Sequence, residues 1–340
     1  MTLSRPEKRL EQKLPEQMPL KPAARLAKLA VGTALGLALV AALLAPWATK
    51  AHAEAALAPV NSAPAAIAAE PAAEGGAALW VIKDADSTIY LFGTVHVLRP
   101  NTQWESPKVT AAFNSASDIW FEISNPDDVA AIIPLIQQYG VSPATPLSSQ
   151  LTSEEMTRLD AAAQVLGVSG AQMDVFRPWY AGLTLSMAPL KKAGYDPASG
   201  VELTLKARAE AAEKPIHGFE TLDKQIRILA DLPQDIQLEF LRATLKDYDD
   251  ASTELDAMVE AWSKGDVEAL DRVTNEDMKD EAPDIYKALL TDRNAGFADQ
   301  IQTLLAGSGT AFVAVGAAHL AGPDSVQTML EARGIEVERE

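Results

Sequence analysis

The sequence predicts an α/β fold, a mixed central sheet flanked by helices with a large helical insertion. Three observations carry that reading. Short β-branched and aromatic runs stand isolated between long stretches of helical periodicity, the pattern of a sheet covered by helices. The helical stretches crowd into residues 125–305, leaving most strand candidates toward the two ends of the domain. Two of those strands run into the same short pattern, Gly-x-x-His followed by an apolar residue.

Residues 79–83 and 88–92 are strand candidates separated by Asp84-Ala85-Asp86-Ser87, which predicts a hairpin. Further strands are expected at 118–123 (DIWFEI), 215–219 (PIHGF), 310–315 (TAFVAV) and 335–339 (IEVER). Helices are expected from Ser153-Glu154-Glu155 to Leu166, where Gly167 follows, and over 201–213, 221–229, 233–248, 253–264 and 275–305, the last with interruptions. The ordered domain is therefore placed at 78–340, a single discontinuous unit.

The N-terminus differs from the rest. Residues 1–53 carry eight Lys/Arg against three Glu, whereas the remainder has 21 basic against 44 acidic residues, or −23. An uncharged apolar run, 29–47, is followed by Ala51-His52-Ala53, which fits an A-x-A cleavage site. The run also approaches the roughly 20 residues that span a bilayer. A cleavable signal, a retained single-span anchor and a buried helix all remain open, and the first two export everything beyond residue 53, because the basic flank stays inside. Export to the periplasm, as a free or membrane-anchored domain, is the expected location. Residues 54–77, rich in Ala and Pro, read as a linker.

Composition narrows the chemistry. With no cysteine, thiolate metal sites, disulfides and a cysteine nucleophile are excluded, so any metal is held by His, carboxylate or other oxygen donors. The formal charge of −18 argues against a nucleic-acid partner, whose binding rests on neutralising phosphates with Lys and Arg. No Gly-rich phosphate loop, GxSxG or HExxH pattern is present.

The paired pattern is YLFGTVHV at 90–97 and FVAVGAAHL at 312–320. Each places an imidazole, His96 and His319, just past the C-terminal end of a strand, where open α/β sheets collect their ligands. Two neutral imidazoles converging on one point, with a carboxylate, form a divalent-metal site. Glu122, inside the apolar strand IWFEI, is the candidate carboxylate, since burying it unpaired would be expensive. The alternatives are a Glu122 facing solvent and two hydrogen-bonded structural histidines.

Glu220 is either a second site carboxylate or an acid favouring the start of the following helix. For Asp196 and Glu202, turn and helix-dipole roles suffice. His217 is expected to be structural, His52 lies at the cleavage site, and Trp179 and Tyr180 are expected to pack helices rather than hold a sugar.

These blocks, GTVHVLRP, the FE of the next strand, GYDPASGVE, GFETLDKQ, DRN at 292–294 and FVAVGAAHLAGPDSV, resemble in order and spacing the TraB/GumN/TIKI family over about residues 79–340. The resemblance implies an erythromycin-esterase/ChaN-like fold, and some relatives in that superfamily act as divalent-metal-dependent proteases. Carried over by motif, it implies His96, His319 and Glu122 as the metal and catalytic set, with Arg293 and Asn294 orienting those groups or the substrate. Mn²⁺, Co²⁺ and Zn²⁺ all suit such N/O donors. The expected activity is a metal-dependent hydrolase, protease-like, acting on a peptide or protein. A haem- or metal-ligand-binding protein and an accessory factor in polysaccharide export are the alternatives.

Overall fold

The computed structural model describes residues 76–340. The signal or anchor expected at 1–53, and the linker apart from Gly76 and Ala77, lie outside the described residues.

Strands β1 (Leu79–Lys83) and β2 (Ser87–Thr94) form the expected antiparallel hairpin. Its turn is closed by Asp84, whose carboxylate accepts hydrogen bonds from the amides of Asp86 (3.1 Å) and Ser87 (2.7 Å). After β2 come helix α1 (Pro107–Ser115) and strand β3 (Asp118–Phe121). Helices α2 (Val129–Tyr139), α3 (Ser153–Leu166), α4 (Pro178–Lys192) and α5 (Val201–Ala211) follow. Helix α3 opens on a reciprocal Thr152–Glu155 capping box and stops at Gly167, which has φ +86°. Strand β4 (Ile216–Gly218) then precedes α6 (Leu222–Ala230), α7 (Gln234–Lys246) and α8 (Ala251–Ser263). Helix α9 (Asp292–Leu305) leads into β5 (Gly309–Gly316), and the chain ends with α10 (Val326–Glu331) and β6 (Glu338–Arg339).

The α/β class holds, with a six-stranded mixed sheet of order β4-β3-β5-β2-β1-β6. Strands β4, β3, β5 and β2 are mutually parallel, and β1 is antiparallel to both β2 and β6. Alternation along each strand feeds two cores. Phe92, Phe312 and Ala314 face the larger helical layer around α4, whereas Leu91, Val313 and Val315 face Phe297 and Ile301 of α9. Trp179 and Tyr180 are fully buried in α4, and the Trp179 indole N–H donates to the Tyr139 carbonyl, so both are packing residues as expected.

As expected from residues 215–219, β4 joins the sheet in the midst of the helical region by pairing with β3. The interruptions expected over 275–305 include a break at Ala282 (φ −144°, ψ 63°), where the ring of Pro283 forces the preceding residue out of the α region. π-turns at Arg272–Glu276 and Lys287–Thr291 flank the break. The strand expected at 335–339 shrinks to two residues, because the Ile335 amide is already engaged by the Leu330 carbonyl in closing α10. Among the described residues, no helix is long and apolar enough to cross a membrane.

Candidate functional site

The parallel register delivers the site. Thr94 pairs with Gly316 and Phe121 pairs with both Ala314 and Gly218, so β2, β5, β3 and β4 end at one edge of the sheet. Just beyond those C-terminal ends lie His96, His319, Glu122 and Glu220, so in sheet order the edge reads Glu220, Glu122, His319, His96. Parallel strands sit about 4.8 Å apart, so neighbours in that row come within reach of one another. Gly93 explains the glycine of the first motif: a Cβ there would lie 3.1 Å from the Ala317 Cα of the second motif.

All of the site side chains are buried. His96, Glu122, Glu220, Arg293, Asn294 and His319 are 7% exposed or less. Such a concentration of ionisable groups survives only if the charges are paired and hydrogen-bonded. Arg293, at the start of α9, supplies the pairing. Its Nη2 donates to Glu122 Oε2 and, at 2.8 Å, to Glu220 Oε2, and its Nε donates to the same Glu220 oxygen at 3.0 Å. Gln225 of α6 donates through Nε2 to both carboxylates, at 3.0 and 3.3 Å. The other oxygen of Glu122 accepts from the Gly316 amide at 2.7 Å and lies 3.5 Å from His319 Nε2. Burial opposes ionisation of both carboxyls, yet Arg293 offsets it and holds Glu122 and Glu220 below the usual carboxylate range.

The two histidines are presented alike. His319 Nδ1 is bonded to Asn294 Oδ1, and Asn294 in turn donates from Nδ2 to the Asp324 carbonyl at 2.7 Å. An amide oxygen only accepts, so His319 carries its proton on Nδ1. Its Nε2 lone pair then accepts from Arg293 Nη1 at 3.2 Å. His96 Nδ1 lies 2.6 Å from Glu202 Oε1, a close approach without hydrogen-bond alignment, and its buried Nε2 also has no hydrogen-bond partner among the described residues.

The structure joins Glu122, Arg293, Asn294 and His319, four of the five residues singled out from motifs, with Glu220 in one hydrogen-bonded cluster, and places His96 past the end of the adjoining strand beside Glu202. Arg293 does more than orient neighbours, since it is the countercharge of two buried carboxylates. Two contributors escaped the sequence reading. Glu202 looked sufficiently explained as an acid in the first turn of α5, and Gln225 gave no signal beyond its place in the GFETLDKQ block. Asp196 makes the expected turn, accepting from the Ala198 amide. His217 is half exposed, 3.2 Å from Asp118 and stacked on Trp120, away from the cluster. Among the described residues, no group of three or more His, Cys, Asp or Glu side chains is placed to hold a metal ion.

The histidines also predict how stability depends on pH in chelator-treated protein. Burial and then Arg293 lower the His319 pKa to about 3. As pH falls below roughly 6.5, the unfolded chain binds a proton that the fold refuses, and stability drops by up to about 1.4 kcal/mol per pH unit. Burial also pulls the His96 value down, but Glu202 overcomes it and the net shift is upward. That contribution is complete below about 6.5 and is lost as pH rises through the folded value. Urea unfolding is expected to show greatest stability near pH 6.5, with the limb between about 6.5 and 4.5 flattened in His319→Gln. Equal slopes in the two proteins would remove His319 as the cause.

A family model described as the TraB/PrgY/gumN family matches residues 78–339. An uncharacterized protein of Treponema pallidum (strain Nichols) is 26% identical over 270 residues, covering 75% of this chain and 80% of that protein. The uncharacterized proteins YbaP of Escherichia coli (strain K12) and of Shigella flexneri are each 26% identical over 184 residues, covering 54% of this chain and 67% of theirs. No solved structure matches the chain.

Proposed function

The chain belongs to the TraB/PrgY/gumN family, and from that premise we propose that it is a divalent-metal-dependent hydrolase, cleaving peptide bonds in an exported domain. One observation carries the reading. Two imidazoles follow adjacent parallel strands: His319 has Nδ1 bonded to Asn294 and Nε2 3.5 Å from Glu122, and His96 has Nδ1 2.6 Å from Glu202 and a buried Nε2 without a hydrogen-bond partner among the described residues. Buried polar atoms are rarely left unpaired without a reason, and fixing Nδ1 so that Nε2 is offered is how proteins prepare histidine ligands.

By donor chemistry, two imidazoles and a carboxylate suit a divalent ion, and His96, His319 and Glu122 would hold it once drawn together. When bound, the ion would polarise a substrate carbonyl and ease deprotonation of water near neutral pH. The chain's own residues supply the rest. Glu122, kept ionised by Arg293, offers Oε1 as a proton acceptor. Arg293, clamped by two carboxylates, is a fixed positive group for charge developing on the substrate oxygen. Asn294 holds the His319 ring in one tautomer.

Protein purified without chelator is expected to contain about one equivalent of Mn²⁺, Co²⁺ or Zn²⁺ and to cleave members of a peptide library, with activity abolished by chelator and restored by one of these ions. Tight metal binding with no cleavage would replace the hydrolase with a binding protein. The exported location rests on the basic flank and apolar run of residues 1–53. Fusing residues 1–60 to a reporter active only outside the cytoplasm is expected to give signal, and a silent fusion would overturn it.

A further inference from the structure

We propose that Glu202 is the positioning residue for His96, holding the ring with its proton on Nδ1 so that Nε2 faces the site. Glu202, far from His96 in sequence, is brought to it by the interlocking of two segments. Beyond β2, the Val95 carbonyl accepts the amide of Val201, the first residue of α5, at 3.0 Å, and Leu98 bridges to Asp196. This places Glu202, in the first turn of α5, directly beside the Gly93-Thr94-Val95-His96 segment.

Glu202 is 6% exposed, and its Oε1 has two neighbours. Thr94 donates its hydroxyl to that oxygen, and His96 Nδ1 lies 2.6 Å from it. The contact lacks the alignment of a formed hydrogen bond, but a ring nitrogen and a carboxylate oxygen both presenting lone pairs would repel at that distance, so a proton belongs between them, on Nδ1. Thr94 restrains the carboxylate in turn, and the N-terminal end of α5 favours its negative charge. An imidazole free in water prefers the opposite tautomer, with the proton on Nε2, which would turn a donor toward the place where a cation or substrate must bind.

The arrangement parallels that of the second histidine with one difference. Asn294 engages His319 through a neutral amide oxygen, whereas Glu202 engages His96 through a full charge. The anionic partner makes His96 the more electron-rich donor of the two, and the neutral partner leaves His319 close to Arg293 without a proton on Nε2. The block GYDPASGVE thus acquires a physical purpose: its turn and helix start carry the carboxylate to the first histidine motif.

The role of Nε2 as a ligand rests on the metal reading above, but the tautomer does not, so two measurements keep the inferences separable. The first is ¹⁵N chemical shifts of the four histidines in chelator-treated full-length protein, at a pH high enough for His96 to be neutral, with His96→Gln to assign its signal. Wild type is expected to show His96 protonated on Nδ1 and bare on Nε2. Glu202→Gln, whose amide oxygen still accepts from Nδ1–H, is expected to keep that tautomer, and Glu202→Ala to lose it. Thr94→Val, which retains the carboxylate but frees its rotamer, is expected to give a mixture, and serves if Glu202→Ala fails to fold.

The second measurement is affinity for Mn²⁺ or Zn²⁺ by titration calorimetry. Relative to wild type, a loss of roughly 10-fold is expected for Glu202→Gln and roughly 100-fold for Glu202→Ala, at unchanged stoichiometry. Loss of one full equivalent in Glu202→Gln would make Glu202 a ligand and overturn the positioning role. An Nε2-protonated His96 in wild type, or a tautomer indifferent to Glu202→Ala and Thr94→Val, would also overturn it. Absence of metal binding by wild type with the expected tautomer pattern would defeat the metal reading and leave the positioning role standing.

Discussion

Arg293→Ala is expected to lower the stability of the metal-free protein by about 3–5 kcal/mol, the usual penalty for removing one partner of a buried ion pair. For a domain of this size that is a fall in Tm on the order of 10 °C. The size of the effect follows from what the guanidinium leaves behind. Glu122 and Glu220, each 7% exposed or less, would share the Gln225 amide with no guanidinium between them, and of the two Glu220 would keep Lys224, 3.2 Å from its Oε1. Burial and mutual repulsion would then push the carboxyls up, Glu122 above all because Lys224 still favours the charged form of Glu220, and protons would be bound in the fold that the unfolded chain releases. For groups with raised folded values, stability is present below the unfolded pKa and lost as pH rises through the folded one. The deficit of Arg293→Ala is therefore expected to be smallest near pH 4.5 and to grow toward pH 8. Combining Arg293→Met with Glu122→Gln and Glu220→Gln is expected to recover much of the loss, because no buried charge is stranded. Chemical unfolding across this range checks the result, and a loss below about 1 kcal/mol at pH 7.5 would mean that the guanidinium is not the countercharge.

The second large effect is on activity. His319→Ala and His96→Ala are each expected to reduce hydrolysis by more than about 100-fold and to empty the site, because each removes a donor nitrogen that no neighbour replaces. Asn294→Ala is expected to be milder, a loss of roughly 10–100-fold with metal retained, since it frees the His319 tautomer without removing the ligand. Metal analysis and peptide turnover on the same preparations separate the two classes. Equal losses of metal in His319→Ala and Asn294→Ala would mean that Asn294 contributes more than orientation.

How far the sequence alone reached depended on whether a residue's signal was local. His96 and His319 stood out because each ends an apolar strand in the same four-residue pattern, and parallel pairing of β2 with β5 brings the two repeats to one sheet edge. Glu122 stood out because it interrupts an apolar run. The strands themselves were legible from β-branched and aromatic runs, and Gly167 and Pro283 punctuate the helices for ordinary steric reasons. The order of strands was not legible, since nothing local in residues 309–316 says that they insert between β3 and β2. The same is true of the pairings that define the site. Arg293 reaches Glu122 across 171 residues and Glu220 across 73. Glu202 occupies a position where an acid is favoured in any helix, so its sequence context could not reveal that it faces His96. An isolated carboxylate or amide has no periodicity, and only the tertiary fold distinguishes Glu202 and Gln225 from surface residues of the same type.

The central claim is that His96 and His319 present their Nε2 atoms, beside Glu122, to one divalent ion. Crystals of the wild-type protein equilibrated with Mn²⁺ or Zn²⁺, measured with X-rays tuned to the metal's absorption edge, test it most directly. The account predicts a single anomalous peak per chain at the C-terminal edge of β2 and β5, within about 2.0–2.3 Å of both Nε2 atoms. No peak there, with Arg293 still bonded to Glu122 and His319, would contradict it.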